Sequence, residues 1–459
     1  MAVFAVCSWA LFLLVLTNPF GLELHYPYLL LAKIALVWIL GSLLMVTSGG
    51  TRFDEPLTSA AEFLTKHSPV LPVLLIGCAF VALVLAITPL VEFGQGKFGL
   101  GYGHDGVQYG KMAEELTKAA VKQPWSARVL PSFIVHYLPV ETFNGFRIVN
   151  IASFFAICLV LVGIQRESGF STGQILMGTV LFCTLRWGVR WWVYCPVMAD
   201  AFGSLLLALG FYFMIRGQIW AFSLVLGISV FSRENVLLLI PTALCIWLLE
   251  RRQRNVVAIL LAVLLPVGLY YLSRRYPLVG PPYRMSSLLV SFLWWWDSVL
   301  HYWGRLFRAI LSWYSAFGMM LVVLVVEGSA VRAYINRHPG LLLYSMLGIA
   351  LAAGAGADLD RFMTWLFPVV VPLSVMLITE SAEFPPTQIG ILIAMQCVVS
   401  EAVFVWEGAQ AFYYSRYVAH CPFDHLYVES GLFLLCLLAV LLAKYGPRGK
   451  RLPERAPSS

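Results

Sequence analysis

Apolar runs of about 18 residues or more recur along this chain, each long enough to cross a hydrocarbon core about 30 Å thick as a helix. Lipid offers the backbone no hydrogen-bonding partners, so such runs must be helical. The first three are Phe4 to Leu16, Tyr28 to Val46 and Val70 to Leu90. Others centre near residues 154, 180, 206, 226, 242, 264, 317, 347, 370, 396 and 437. The sequence therefore predicts an all-α, polytopic transmembrane bundle of about 12–14 spans. Only 12% of residues are charged, roughly half the share of a soluble domain, which excludes a water-soluble enzyme. The run at Phe4 to Leu16 lacks a basic leader and an Ala-x-Ala site before Asn18-Pro19, and it reads as a retained helix.

No internal repeat is visible, and the chain divides by composition alone. Residues 1–68 form an N-terminal pair of spans with a cytoplasmic loop, residues 69–445 the main transmembrane module, and residues 446–459 a basic tail. The densest basic clusters are Glu250-Arg251-Arg252-Gln253-Arg254 and the tail from Lys444. The positive-inside rule puts both in the cytoplasm. Threading the spans in order then brings three polar clusters out on the opposite face: His104-Asp105, Arg233-Glu234 and Asp358-Leu359-Asp360-Arg361. Charges gathered at one face of a membrane protein mark a site for a substrate, an ion or a lipid headgroup. Several further arginines fall on that face, Arg186, Arg190 and Arg274 among them, which points to an anionic ligand or to lipid phosphates.

The cysteines lie mostly within spans and read as small apolar residues, while Cys195 and Cys421 fall on the same outer side, where a disulfide is open to them. Two aromatic clusters, Trp187, Trp191 and Trp192 with Arg186 and Arg190, and Trp294-Trp295-Trp296, read as interfacial belts. The alternative for either is a wall for a lipid chain or a sugar ring.

The outer loop, residues 91–142, carries the most information. Six glycines between Gly94 and Gly106 make its start turn-rich, and Tyr109, Met112, Leu116 and Ala119 then recur at helical spacing among charged residues. That pattern predicts an amphipathic helix lying at the membrane surface. Asp105 stands at its start and admits two roles: a helix cap, since Asp105 and Gln108 fit capping-box spacing, or a ligand-contacting carboxylate.

A span followed at once by a loop with Asp105, then an amphipathic helix, then Arg128-Val-Leu-Pro131 before the next span, resembles the C-type (GT-C) membrane glycosyltransferases. The segments Gly103-His-Asp-Gly-Val-Gln-Tyr-Gly-Lys-Met-Ala113 and Ala357-Asp-Leu-Asp-Arg-Phe362 are similar to those of bacterial members. The resemblance covers the chain from about Val70 onward. It implies an integral protein of the bacterial inner membrane that moves a sugar from a polyprenyl-phosphate-linked donor to a glycan, lipid or protein acceptor on the outer face, with no role for nucleic acid. It also implies that Asp105 is the catalytic base. Many members carry two adjacent acidic residues in this loop, whereas Asp105 is flanked by His104 and Gly106.

Such transfer needs a carboxylate to deprotonate the acceptor hydroxyl and cations to hold the departing phosphate. Arg233 and Arg361 are the first candidates for that clamp because guanidinium stays charged and forks onto phosphate oxygens. Arg128 is a further candidate, set against snorkelling to headgroups. Glu234 and Asp360 adjoin these arginines and read either as substrate contacts or as their ion-pair partners. His104 reads as a hydrogen-bonding residue of the loop. No cysteine or histidine spacing specifies a metal, and no cofactor is assigned, although His104 beside Asp105 leaves room for a divalent cation. The rival class is a transporter or flippase of a lipid-linked or anionic substrate, marked by charges at midspan and broken helices; apart from the Arg233-Glu234 and Arg186-to-Asp200 regions the charges here sit at span ends, which favours the enzyme. A membrane scaffold would account for the basic tail but not for the convergence of charge on one face.

Overall fold

The structure is a computed structural model that describes residues 27–46, 68–87, 104–116, 125–250, 255–279, 303–354, 359–382, 384–402 and 423–445, with a few isolated positions between them. The described elements are all helical. In chain order they are α1 (Pro27–Val46), α2 (Val70–Ile87), α3 (His104–Glu115), α4 (Val129–His136), α5 (Thr142–Glu167), α6 (Thr172–Cys183) and the single turn α7 (Val189–Tyr194). Then come α8 (Asp200–Arg216), α9 (Ile219–Ser229), α10 (Leu239–Leu244) and α11 (Val256–Arg275). The C-terminal half contains α12 (Trp303–Phe317), α13 (Met319–Val326), α14 (Gly328–Arg337), α15 (Pro339–Gly354), α16 (Leu359–Met363), α17 (Phe367–Met376), α18 (Pro386–Val399) and α19 (Phe423–Tyr445).

Most hydrophobic runs expected to be spans hold a helix at the expected place, but they are not equivalent. Among the described residues, five helical stretches are long and apolar enough to cross a membrane: α2, α5, α11, the continuous run Leu359–Ser381, and Val428–Tyr445 of α19. Several others, including α6, α9 and α18, are apolar but shorter than 18 residues, too short to cross alone. This is a polytopic helical membrane protein in which many of the predicted spans are short or broken.

Burial ranks the spans. The Leu359–Ser381 run is 83% buried inside the protein, whereas α2 and α11 are 22% buried. The first forms the axis of the bundle, and the other two turn leucines such as Leu75 and Leu264 outward. Around that axis α6 packs on α17, α5 on α8, α8 on α9, α9 on α11, and α12 on α16. Helix α1 packs against α18 and α19, so helices more than 300 residues apart in sequence close on each other.

One sharp break has an identifiable cause. Helices α12 and α13 meet at 110°, across Gly318, whose φ of +53° lies in the left-handed region. A Cβ there would sit 2.6 Å from the Gln396 side-chain oxygen, the same oxygen that accepts from the freed Met319 N–H at 2.7 Å. Gln396 thus replaces a backbone acceptor that the bend removes. The bend ends α12 near Ser315, which the polar interior uses.

That interior holds charges the sequence assigned to the membrane surface. Arg186, Arg190, Trp187, Trp191 and Trp192 are all at most 5% exposed, which corrects the expectation of an interfacial belt for this cluster. The indoles fill the core instead, with Trp187 and Trp191 in edge-on contact. Trp294, from the other aromatic cluster, is 55% exposed and remains compatible with a belt. Cys195 is buried, and Cys421 lies outside the described residues.

Lys33 of α1 donates to Glu401 at 2.8 Å, and Arg186 and Arg190 approach the same carboxylate at 3.5 and 3.6 Å. Arg186 also donates to Glu429 at 2.8 Å and to the Val399 carbonyl at 2.8 Å. Glu401 itself adopts φ +55°, a conformation costly for a non-glycine residue, while three cations hold its side chain. Three buried cations thus share two buried carboxylates, tying α1, the α6–α7 turn, the end of α18 and α19 together. Removing one partner of a buried ion pair costs about 3–5 kcal/mol because it strands the other charge. Glu401→Gln should therefore lower the unfolding midpoint of the detergent-solubilised protein more than Lys33→Met does, since the latter leaves Glu401 with two arginines. Equal midpoints for wild type and Glu401→Gln would remove the cluster as a source of stability.

Candidate functional site

Three of the elements that frame the site begin at the same face of the bundle, and each carries an acidic residue in its first turn. Asp105 lies in the first turn of α3, Asp200 opens α8, and Asp360 lies in the first turn of α16. An acid in the first turn is favoured by the helix dipole, which accounts for the type of residue but not for the convergence. Convergence comes from packing. Asn150 of α5 donates its amide to the carbonyls of Trp192 and Pro196 at 3.2 and 2.7 Å, fixing the segment that leads to Asp200. The Leu130 N–H donates to the Phe231 carbonyl at 2.9 Å, which ties the start of α4 to the loop carrying Arg233. Ser132 donates to the Tyr109 carbonyl, joining α4 to α3.

The charges form two connected chains. In the first, Arg361 Nη2 stands 3.8 Å from Asp105 Oδ2 and Arg361 Nη1 donates to Asp200 Oδ2 at 3.5 Å. Asp200 Oδ1 is in turn 2.7 Å from Arg233 Nη2. In the second, Arg128 donates to both Glu234 oxygens in a fork, and Arg274 Nη2 donates to Glu234 Oε2 at 3.1 Å. Tyr109 joins them: Arg128 Nη1 donates to its hydroxyl at 3.4 Å, and Arg233 and Asp105 lie close enough to act on it electrostatically. Below, the Ser315 hydroxyl donates to Asp360 Oδ2 at 3.1 Å and receives a donor from Arg186 at 2.7 Å, which links the site to the buried cluster of Arg186 and Glu401.

The three sequence clusters therefore meet at one place. Asp105, Arg233 and Arg361 come together through Asp200, and Arg128 and Glu234 come together directly. Glu234 neutralises Arg128 and Arg274, not its neighbour Arg233, because adjacent residues point their side chains to different sides. Asp360 likewise faces Ser315 while Arg361 faces Asp105 and Asp200. His104 opens α3, but its side chain lies outside the described residues. Sequence reasoning passed over Asp200, which looks like an ordinary first-turn acid. It also passed over Arg274 as a partner of Glu234 and Tyr109 as anything beyond an apolar-face residue.

Two expectations about the loop change. Helix α3 begins at His104, so Asp105 sits inside the first turn instead of at the cap, and its carboxylate is turned to Arg361. The apolar face of α3 does not lie on the membrane either: Tyr109, Met112 and Ala113 are buried, packed against α4 and α5. The helix stops at Glu115, short of Ala119.

Exposure separates the two chains into floor and mouth. The side chains of Arg233, Asp200 and Arg361 are 7% exposed or less, whereas those of Asp105 and Glu234 are 20% and 27% exposed. The two carboxylates are thus the groups an incoming molecule meets first. Arg274 is buried, and its Nε and Nη1 have no hydrogen-bond acceptor among the described residues, nor does Nε of Arg233. Buried donors are normally paired, so these mark places where an anion would be welcome. Beside Arg128 an apolar groove of about 370 Å³ runs between α4, α9 and α11, lined by Val129, Phe133, Ile228 and Leu269. No group of three or more His, Cys, Asp or Glu side chains that would hold a metal occurs among the described residues.

Comparison with protein-family models gives no match, and comparison with curated proteins gives none either. Among solved structures the chain is similar to ArnT from Cupriavidus metallidurans bound to undecaprenyl phosphate, with a TM-score of 0.46 and 13% identity over 82% of this chain and 77% of that one. The apo state of the same ArnT gives a TM-score of 0.44 and 14% identity over the same shares.

Electrostatics keeps the second chain charged. Burial alone would raise the Glu234 carboxyl, but Arg128 and Arg274 outweigh it and hold the group well below the usual carboxylate range. Burial would also lower Arg128, and Glu234 overrides that. Burial pushes the Tyr109 phenol up against the pull of Arg128 and Arg233, so it stays a neutral hydroxyl. A carboxyl depressed on folding contributes stability that is complete above its unfolded value, about 4.3 for glutamate, and that is lost as pH falls from there towards the folded value. The stability gap between wild type and Glu234→Gln should accordingly be constant from pH 8 to about pH 5 and shrink only in stronger acid. A gap that closed near neutrality would contradict the pairing.

Gly106 positions the catalytic candidate. A Cβ at this residue would meet the Val197 carbonyl oxygen at 2.7 Å, a backbone atom that cannot move aside without shifting Asp200. Gly106→Val should separate α3 from the 196–198 segment and reduce activity at least tenfold while the protein still inserts; full activity would show that the close approach is dispensable.

Proposed function

We propose that the protein is a membrane glycosyltransferase that moves a sugar from a polyprenyl-phosphate-linked donor to an acceptor hydroxyl, at the face where α3, α8 and α16 begin. The observation that carries this reading is a partly exposed carboxylate, Asp105, held 3.8 Å from a buried guanidinium, Arg361, in a pocket of further arginines. A base and phosphate-holding cations side by side are what displacement at a sugar–phosphate bond requires. The resemblance of the Asp105 and Arg361 segments to GT-C sequences supports it as well.

In this reading Asp105 takes the proton of the acceptor hydroxyl as its oxygen bonds to the anomeric carbon. The bond from that carbon to the phosphate oxygen breaks, and the phosphate leaves with the electron pair. Four arginines, Arg128, Arg233, Arg274 and Arg361, pair with three carboxylates, Asp105, Asp200 and Glu234, while Asp360 is turned to Ser315. These groups leave one positive charge in excess for an anion, and phosphate binds to spare donors or displaces a carboxylate. Arg274 supplies the spare donors, and Glu234 is the carboxylate most open to displacement. The groove beside Arg128 offers an apolar seat for an isoprenoid chain whose phosphate reaches these arginines. The acceptor would enter on the Asp105 side.

A transporter or flippase is the second reading, favoured by the buried charges of Lys33, Arg186, Arg190, Glu401 and Glu429, because ionisable groups inside a bundle mark transport paths. In this chain they pair among themselves and with backbone carbonyls, as a structural cluster does.

Purified protein in liposomes with labelled polyprenyl-phosphate sugars separates the two. Transfer should fall by about two to four orders of magnitude in Asp105→Asn, with donor affinity largely kept. Arg274→Met should weaken donor binding about tenfold, the loss of one charge-assisted hydrogen bond, with a smaller effect on turnover. Uptake or flipping of the lipid without any transfer would overturn the enzyme reading.

A further inference from the structure

At the opposite end of the same helices a second cleft opens. Helix α5 runs from the Asp105 face to Glu167, α8 from Asp200 to Arg216, and the central run from Asp360 to Glu380. Their far ends, with α10, α14 and α15, enclose a cleft of about 420 Å³. That volume lies within the range of small-molecule sites. It takes no part in the transfer chemistry proposed above.

Two irregularities of the fold build it. The α10 helix widens into a π-helix over Cys245–Glu250, and α17 does the same over Leu377–Ser381. π-Helical turns are rare and cluster at functional sites, since each inserts a residue and re-aims side chains at the cost of helix regularity. Both of these lead to the same cleft, one bringing Ile246 and Glu250 to it and the other Glu380.

The lining is divided by chemistry. Phe211 and Leu373 belong to an apolar part, and Tyr334 and His338, with ring centroids 4.7 Å apart, form an aromatic wall. Glu167, Glu250 and Glu380 supply the charge. Glu250 accepts from the Gly340 N–H at 2.6 Å and Glu380 from the Gln174 amide at 3.0 Å, so each is held in place by a neutral donor, and neither has an ion-pair partner among the described residues. Among the described residues, Glu167 is the one of the three that meets a cation, the exposed Arg216 at 3.1 Å, which does not line the cleft.

We propose that this cleft binds an amphiphilic primary amine, its ammonium among Glu250, Glu380 and Glu167 and its apolar body against Phe211, Leu373 and the Tyr334–His338 wall. Carboxylates held by neutral hydrogen bonds repel an anion and give a neutral molecule no reason to prefer the cleft over lipid. A purely inorganic cation would leave the apolar wall unused, whereas an aliphatic or aromatic ammonium satisfies both halves, with cation–π contact available at the aromatic wall.

The test uses full-length protein in phosphatidylcholine nanodiscs and octylamine as the probe, with octanol and octanoate as controls. Octylamine should raise the unfolding midpoint saturably, octanoate should not, and octanol should act only weakly. Glu250→Gln/Glu380→Gln should weaken octylamine binding at least tenfold. Should that double variant fail to accumulate, Glu167→Lys, at a side chain 42% exposed and so tolerant of change, should weaken it several-fold. Phosphatidylethanolamine added to the discs distinguishes the source of the amine: competition with octylamine assigns the site to a lipid headgroup, and none assigns it to a soluble amine. Octylamine binding that is not saturable, is matched by octanol, or is unchanged by these substitutions would overturn the proposal. Because no transfer is measured, its failure leaves the glycosyltransferase reading untouched.

Discussion

A buried guanidinium must be paired, and the position of Arg361 follows from that rule. At 4% exposure it lies between Asp105 and Asp200 and rests on the rings of Trp191 and Phe362 at 5.9 and 5.2 Å. Four separate parts of the chain are thereby brought to one point: the polar loop, α7, the start of α8 and the start of the central run. Leaving any of these charges alone in a low-dielectric interior costs several kcal/mol. The helices are consequently held in one register by electrostatics where their apolar faces alone would permit sliding.

The same rule shapes the difference between floor and mouth. Deep in the site each arginine has a carboxylate partner and little exposure. At the mouth, Asp105 and Glu234 keep part of their surface open while leaning on arginines below. That geometry suits a group that must exchange protons or give way to phosphate, because its partner holds position when it does so. The Ser315 bridge from Asp360 to Arg186 extends this rigidity into the core, so the site is supported from beneath by charge as well as by packing.

Much of the architecture was legible from hydrophobic runs, since a segment such as Val70–Ile87 has no alternative in lipid but to be a helix. The lengths were less legible. Helix α18 reads as a full span, whereas α6 and α9 flank Arg186–Asp200 and Arg233, where the sequence also admits broken or re-entrant helices, and all three are shorter than a span. The break at Gly318 depends on Gln396, nearly eighty residues away. The cluster from Arg186 to Trp192 was misread for a related reason: tryptophan and arginine side by side suit an interface and suit equally a core where a distant Glu401 and Glu429 await the arginine. Asp105 and Arg361, which the fold brings within 3.8 Å, stand out in the sequence because they are polar residues next to long apolar runs. Asp200 stayed hidden because a first-turn acid needs no further explanation until its partners are seen.

The sequence by itself determined that the chain is a helical membrane protein, which of its faces gathers charge, and that carboxylates and guanidinium groups are present there. Composition and run length suffice for this because the solvation cost of backbone and charge in lipid is local to each segment. Only the tertiary structure decided which charge meets which: Glu234 with Arg128 and Arg274, Asp200 with Arg233 and Arg361, Lys33 with Glu401. Pairing depends on distances between residues up to several hundred positions apart, and no property of either residue taken alone encodes its partner.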